Sequence, residues 1–239
     1  MQCVVLAGGL AERLRPLTDR VPKALVPVAG RPFADHQLRW LASEGVTDVV
    51  LAIGYLGESI RAFVTDGKRW GVRVRYCDEG DVLRGTGGAL RLAYDGGLLE
   101  PAFGVVYGDS YLTATLRPVW EMFGATRPAA LMTVYRNEGR FDRSNARLQD
   151  GFVVHYEKGL ADPSGAGMDH IDYGFSIIDR DAVMPSIPPE AVVDLATIFH
   201  RLSDWHMLRG YEVSDRFYEI GSPQGLAELR SLLTMRSRL

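Results

Sequence analysis

Residues 3–23 read CVVLAGGLAERLRPLTDRVPK, and the rest of the chain is best understood outward from them. A short run, Cys3 to Leu6, is apolar at every position and is followed at once by Ala7, Gly8 and Gly9. Apolar side chains at every position, rather than every second one, fit a strand covered on both faces, as in a parallel sheet. Glycines directly after such a strand let the backbone approach a ligand closely, and successive N–H groups there can form a nest for an anion. In an open parallel sheet ligands gather at the carboxyl ends of the strands. Arg13, Arg15 and Lys23 follow in the same loop, which Pro16 and Pro22 stiffen. Three cations beside a glycine turn suit a triphosphate better than a monophosphate. A tight turn with solvated charges would explain a lone Gly-Gly pair, but it explains the whole run poorly. The loop is neither a G-x-G-x-x-G dinucleotide fingerprint nor a Walker loop, which needs G-K-[ST].

The flanking sequence continues the alternation of strand and helix. RPFADHQLRWLASEG reads as a helix with Pro32 just inside its start, Phe33, Leu38 and Leu41 on one face, and a stop at Gly45. VTDVVLAIG and VRVRYCDE read as strands, GESIRAFVTDG as a helix ending at Gly67, GGALRLAYDG as a helix, and FGVVYGD as a strand ending on a carboxylate. Short strands and helices in alternation imply βαβ units. The second half differs. NARLQDGFVVHYEK reads as a hairpin turning at Asp150-Gly151, and HIDYGFSIID as a strand. DLATIFHRLSDWHMLRG is the longest helical pattern, capped by Asp194 and stopped by Gly210. A last helix starts at Ser222-Pro223, and residues 159–168 form a Gly-, Asp-, Pro- and Ser-rich loop rather than a domain boundary. The expected fold is α/β: a Rossmann-like mixed, mostly parallel sheet flanked by helices. A single domain is expected over residues 1–239.

Composition sets bounds on function. With 239 residues, 46% hydrophobic and 24% charged, the chain can bury a sizeable core. A net charge of −3 offers no general attraction for nucleic acid, so an anionic ligand must be held by a local basic cluster. Cys3 and Cys77 read as buried, reduced thiols, and the start MQCVVLAGGL lacks the features of a signal peptide. No segment reads as membrane-spanning, so a cytoplasmic location is expected.

Four motifs carry chemistry. The first is the opening loop. The second, DEGDVLRGTGGAL, places Gly85, Gly87 and Gly88 at the start of a helix, where backbone can lie close to a ligand. A glycine-rich left-handed turn is the plainer alternative. The third, VVYGDS, ends a strand on Asp109, a place suited to a hard cation or to capping the next element. The fourth, FYEIGSP, sets Glu219 ahead of Gly221, Ser222 and Pro223. His155 and His170 stand at no metal-ligand spacing. Arg140, Arg143 and Asn145 form a polar loop read first as loop structure and second as acceptor recognition. Trp70 and Trp205 fit either an interface or a core.

Taken together, these motifs resemble the sugar-1-phosphate nucleotidylyltransferases, the NDP-sugar pyrophosphorylases. The family pattern is roughly G-G-x-G-T-R-L-x-P-L-T, then P-K-P. Gly8, Gly9, Arg13, Leu14, Pro16, Leu17, Thr18, Pro22 and Lys23 match it, while Ala11, Glu12 and Ala24 depart from it. Glu12 would set a carboxylate beside the phosphates, so its side chain is expected to point away. The resemblance implies a nucleotidyltransferase fold of glycosyltransferase-A type, with a nucleotide-binding half at 1–115 and an acceptor-binding half at 116–239. It implies nucleotide binding by Leu6, Ala7, Gly8, Gly9, Arg13, Lys23, Glu79, Gly85, Thr86, Gly87 and Gly88, and Mg²⁺ binding by Asp109 and Glu219. Glu157, Lys158, Asp172 and Gly174 then fall on the sugar-phosphate-binding positions, and Arg13, Lys23, Asp109 and Lys158 on the catalytic ones. Short bacterial members acting on heptose 1-phosphate with GTP, or on N-acetylmuramic acid 1-phosphate with UTP, look nearest, which points to precursors of cell-surface polysaccharide. The implied partners are a nucleoside triphosphate and a sugar 1-phosphate. Two alternatives stand beside this: cytidylyl transfer to phosphocholine or a similar small acceptor, and a non-catalytic nucleotide sensor or partner-binding subunit.

Overall fold

The computed structural model describes residues 1–236. In chain order its elements are β1 (Gln2–Leu6), β2 (Pro27–Val28), β3 (Arg31–Pro32), α1 (Phe33–Ser43), β4 (Asp48–Ile53), α2 (Gly57–Val64), β5 (Arg73–Asp78), α3 (Gly85–Asp95), β6 (Ala102–Tyr107), β7 (Ser110–Tyr111), α4 (Arg117–Thr126), β8 (Ala130–Arg136), β9 (Ala146–Gln149), β10 (Phe152–Tyr156), β11 (His170–Asp179), α5 (Arg180–Val183), α6 (Leu195–Asp204), β12 (Leu208–Val213), β13 (Tyr218–Glu219) and α7 (Pro223–Arg236). Contacts gather them into two compact units, neither continuous in sequence. The first takes residues 1–83 and 106–112 and the described chain from Phe217 onward; the second takes residues 84–105 and 113–216.

In the first unit β1 pairs in parallel with β4, and β4 in parallel with β5. Every residue of β4 is buried, as a strand covered on both faces requires. Helix α1 buries Phe33, Leu38 and Leu41. Pro32 stands immediately before the helix rather than inside it, and Gly45 follows its end with φ +84°, the left-handed conformation a helix stop needs. Asp35, in the first turn of α1, accepts hydrogen bonds from Arg39, Arg31 and the Trp70 indole at 2.8, 3.3 and 2.9 Å. Burial works to raise its pKa, but the bonds from Arg39, Trp70 and Arg31 together outweigh it and hold the carboxyl at about 2. Trp70 is thus a core residue, whereas Trp205 of the other unit is 61% exposed. The C-terminal segment completes a core here: Leu14, Val26, Val28 and Phe33 pack with Ile220, Leu226, Leu229 and Leu233. Each leucine buried this way is worth roughly 2 kcal/mol. Cys3 and Cys77 are both buried, and neither forms a disulfide.

In the second unit β8 lies antiparallel to β11 and parallel to β12, and β10 runs antiparallel to both β12 and β9. The β9–β10 hairpin turns at Asp150 and Gly151, both at positive φ (51° and 75°), as a two-residue type I′ turn demands. Asp194 caps α6, its carboxylate accepting the Ala196 N–H at 2.8 Å. The helix expected to reach Gly210 ends at Asp204 instead. His206 takes a left-handed φ of 55°, and residues 208–213 become β12, paired with β8 from Leu208↔Ala130 onward. Gly210 is a strand glycine whose missing side chain makes room for Leu148. The apolar spacing continues past the helix, but strand pairing captures those residues. Residues 159–168 lie inside this unit, their turns closed by Gly165 N–H to Asp162 (2.9 Å) and Met168 N–H to the Pro163 carbonyl (2.9 Å). No helix among the described residues is long and apolar enough to cross a membrane.

Candidate functional site

The opening loop leaves β1 in the first unit. The Ala7 N–H still bonds the Ala52 carbonyl at 2.8 Å, so the strand pairing carries to the edge of the glycines. A Cβ on Gly8 would stand 2.5 Å from Oε1 of Glu79, whereas a Cβ on Gly9 would meet nothing within 4 Å. Gly8 thus leaves room for the carboxylate packed behind it, while Gly9 faces open space. Glu79, expected among the nucleotide-binding residues, is 8% exposed and sits under the loop. Ala11, where the family pattern has glycine, takes φ 54°. Its carbonyl accepts the hydroxyl of buried Thr18 at 2.9 Å, which helps hold this left-handed turn. Leu14 plugs the loop into the core with Phe33 and α7. The arginines on either side of it, Arg13 and Arg15, stay exposed, and Arg15 pairs with Asp19 at 3.6 Å. A pocket of about 380 Å³ opens here, walled by Leu10, Ala11, Glu12, Arg13, Lys23, Leu83 and Gly221. Glu12 is among the residues of the pocket wall.

The carboxylates come to the same place by strand pairing. Gly108 lets the chain after β6 press on the opening loop: its Cβ would stand 2.6 Å from the Leu6 carbonyl and 2.9 Å from Ala7 Cα. Asp109 follows. In the β7–β13 ladder Glu219 lies opposite Ser110, and the Ile220 N–H bonds the Asp109 carbonyl at 2.9 Å. Asp109 Oδ2 lies 3.0 Å from Lys23 Nζ, a pair only 24% and 21% exposed. The centre of the arrangement is Gly221. A Cβ there would stand 2.8 Å from Arg13 Nη2 and 3.1 Å from Asp109 Oδ2, and would collide with Glu219 Oε2. Glu219 is also held from below, accepting the Gly221 N–H and the Ser222 hydroxyl, each at 2.8 Å. Ser222 in turn accepts the Gly225 N–H at 3.0 Å and caps α7. Two carboxylates, a guanidinium and an ammonium so crowded are well placed to bind a polyanion together with a hard cation.

The second unit holds the other glycine loop. Gly85 takes φ +72°, and Cβ atoms on Gly85, Gly87 and Gly88 would stand 2.7, 3.1 and 2.6 Å from the carbonyl oxygens of Val193, Val193 and Ala191. The Gly87 and Gly88 N–H groups donate to the Val193 carbonyl at 2.8 and 3.1 Å. Thr86 accepts the Leu195 N–H at 2.7 Å and donates to Asp194 at 3.0 Å. These glycines lie against a neighbouring strip of chain, residues 191–195, that no spacing in the sequence links to them.

The residues expected to hold the acceptor also lie in the second unit. Glu157 follows β10, and its N–H bonds the Asn145 carbonyl at 2.9 Å. The Asn145 amide oxygen accepts the Asp172 N–H at 2.8 Å. Asp172 then accepts the Gly174 N–H at 2.9 Å and the Tyr156 hydroxyl at 3.2 Å. Gly174 takes φ 101° at an irregularity in β11. Asn145 is thus the brace between the Glu157 and Asp172 segments, and Tyr156, wholly buried, supports Asp172. Neither bracing role is visible in sequence, because each links stretches far apart in the chain. Lys158, next along, is exposed.

Comparison with known proteins fits this geometry. A glucose-1-phosphate thymidylyltransferase of Streptomyces griseus is 33% identical over 164 residues, 68% of this chain and 46% of that protein. A D-glycero-α-D-manno-heptose 1-phosphate guanylyltransferase of Aneurinibacillus thermoaerophilus is 32% identical over 122 residues, 51% of each. The chain therefore spans about half the length of these curated relatives. The crystal structure of HddC from Yersinia pseudotuberculosis superposes with a TM-score of 0.79 at 21% identity, covering 97% of this chain and 99% of that one, which shows a shared α/β fold. Residues 2–140 match the family model described as nucleotidyl transferase. That match takes in the opening loop, Glu79 and Asp109 together, and it makes this chain a member of the nucleotidyl transferase family.

Proposed function

We propose that the chain transfers a nucleotidyl group from a nucleoside triphosphate to a sugar 1-phosphate, giving an NDP-sugar and pyrophosphate. The observation that carries this reading is the convergence of Arg13, Asp109 and Glu219 on Gly221, with Lys23 on Asp109, beside an open glycine turn. Arg13 and Lys23 balance the charge of the triphosphate, and the N–H groups around Gly8 and Gly9 offer it donors. Asp109 and Glu219 fit Mg²⁺, since both are hard oxygen donors and a pair of them leaves coordination positions for phosphate oxygens. Bound there, the ion would supply further charge neutralisation. An acceptor phosphate oxygen forms a bond to the α-phosphorus as the bond from that phosphorus to the bridging oxygen of pyrophosphate breaks. The attacking phosphate is already ionised, so no side chain need remove a proton, and the chain's task is positioning and electrostatics. Gly85–Gly88 are assigned to the nucleotide, Lys158 to the acceptor phosphate, and Glu157, Asp172 and Gly174 to the sugar. Thymidylyl and guanylyl transferases both occur among the relatives, so the base is left to experiment. The cytoplasm, where the triphosphates are made, is the proposed setting, and cell-surface polysaccharide the proposed destination of the product.

The test is pyrophosphate release over four nucleoside triphosphates and a set of sugar 1-phosphates. One pairing is expected to turn over, and Asp109→Asn to lower its rate about a thousandfold. Near-normal turnover by that variant, or no turnover with any pairing, would contradict the proposal.

A further inference from the structure

Away from the phosphate pocket, in the second unit, three side chains meet that the transfer reaction does not need together. His155, at the end of β10, Glu157, two residues on, and His200, on α6, each offer one ligand atom, and these atoms lie within 4.8 Å of one another. His155 Nε2 stands 3.4 Å from Glu157 Oε2. Ligand atoms around a tetrahedral zinc ion stand roughly 3.3 Å apart, given metal–ligand bonds near 2.0–2.1 Å. Closing the widest separation from 4.8 Å to that spacing takes a combined side-chain shift of about 1.5 Å.

The imidazole of His200 is already set for such a role. Its Nδ1 lies 2.6 Å from the Tyr156 carbonyl oxygen. A carbonyl oxygen only accepts, so Nδ1 carries the hydrogen there and Nε2 is the ring nitrogen left to face a metal ion. A ring N–H donated to a backbone carbonyl is the usual outer support of a metal-bound histidine. Asp204, one turn further along α6, places Oδ2 3.6 Å from that same Nε2, a further oxygen donor within reach. The frame is firm: the Tyr156 N–H donates to Ser203 Oγ at 3.1 Å, so α6 grips both backbone polar groups of one β10 residue. His155, Glu157 and His200 are all partly exposed, which leaves an entry path.

We propose that His155, Glu157 and His200 form a binding site for a borderline divalent transition metal ion, Zn²⁺ foremost. Imidazole nitrogen selects zinc, copper, nickel and cobalt over Mg²⁺, so the site differs in chemistry from the carboxylate pair Asp109 and Glu219. Glu157 is also assigned above to the acceptor sugar, but the metal site stands on its own geometry.

The full chain, without nucleotide or sugar and in excess Mg²⁺, is titrated with Zn²⁺ by calorimetry and with Co²⁺ by visible absorption. One Zn²⁺ per chain is expected, with Co²⁺ giving the intense bands of a four-coordinate nitrogen–oxygen site. His155→Gln and His200→Gln should each weaken Zn²⁺ binding at least tenfold and remove the Co²⁺ bands. Asp109→Asn should leave both readouts unchanged, so a failed transfer assay does not touch this result. If His200→Gln fails to fold by circular dichroism, His155→Gln decides, because it leaves the His200–Tyr156 bond in place. Zn²⁺ affinity unchanged in His155→Gln, or no Zn²⁺ uptake by the unaltered chain, would overturn the proposal.

Discussion

A Cβ added to Gly9 would meet nothing within 4 Å, whereas Cβ atoms on Gly85, Gly87 and Gly88 would press on the backbone carbonyls of Ala191 and Val193 at 2.6–3.1 Å. The two glycine-rich loops look alike in sequence, since each sits between a strand and a helical turn. They use the missing side chain differently. In the first, the space in front of Gly9 is free and cations line the adjoining pocket; in the second, the space is filled by the strip leading into α6. A glycine run reports that something approaches the backbone closely, and it does not say whether that is a ligand or the chain itself.

This contrast can be broken or sharpened by substitution. The largest effect on stability is expected at Gly85, where alanine meets both a left-handed φ of +72° and a carbonyl 2.7 Å away. Gly85→Ala should cost about 3 kcal/mol and lower Tm by roughly 6–12 °C in a chain of this size, measured by calorimetry. A smaller effect, of about 2 kcal/mol, is expected from Asp35, which anchors α1 in the unit carrying the first loop. Its folded pKa of about 2 lies below the ordinary 3.8, so its contribution is present above pH 4 and is lost as pH falls from 4 towards 2. Denaturant unfolding at pH 6 and pH 2.5 should show Asp35→Asn less stable than the unaltered chain at pH 6, with the gap narrowing at pH 2.5. Least of all, Ala11→Gly removes the strain of φ 54° but gives the unfolded chain more freedom, so its net effect should stay within about 1 kcal/mol. A change above 2 kcal/mol there would mean that Ala11 does more than turn the loop.

Much of the fold was legible locally. Asp150-Gly151 marked its hairpin, Asp194 its helix cap and Ser222-Pro223 the start of α7, because each acts through neighbours a few residues away. The helix drawn to Gly210 failed because residues 208–213 pair with β8, a distant partner that periodicity along one segment cannot reveal. In the site, Arg13, Lys23, Asp109 and Glu219 were readable and the structure gathers them. What was not readable is the reason they meet. Gly108 and Gly221 matter for what lies across from them, and Asn145 and Tyr156 for bonds to residues far along the chain. His155 showed no ligand spacing because His200 reaches it only through the packing of α6 on β10.

The most direct test compares Gly9→Ala with Gly88→Ala by triphosphate affinity and Tm together. Gly9→Ala should keep Tm within about 2 °C of the unaltered chain and weaken triphosphate binding at least tenfold, while Gly88→Ala should lower Tm by roughly 4 °C or more. Unchanged triphosphate binding in Gly9→Ala, or a loss of Tm there equal to that of Gly88→Ala, would contradict an open ligand cradle at the first loop.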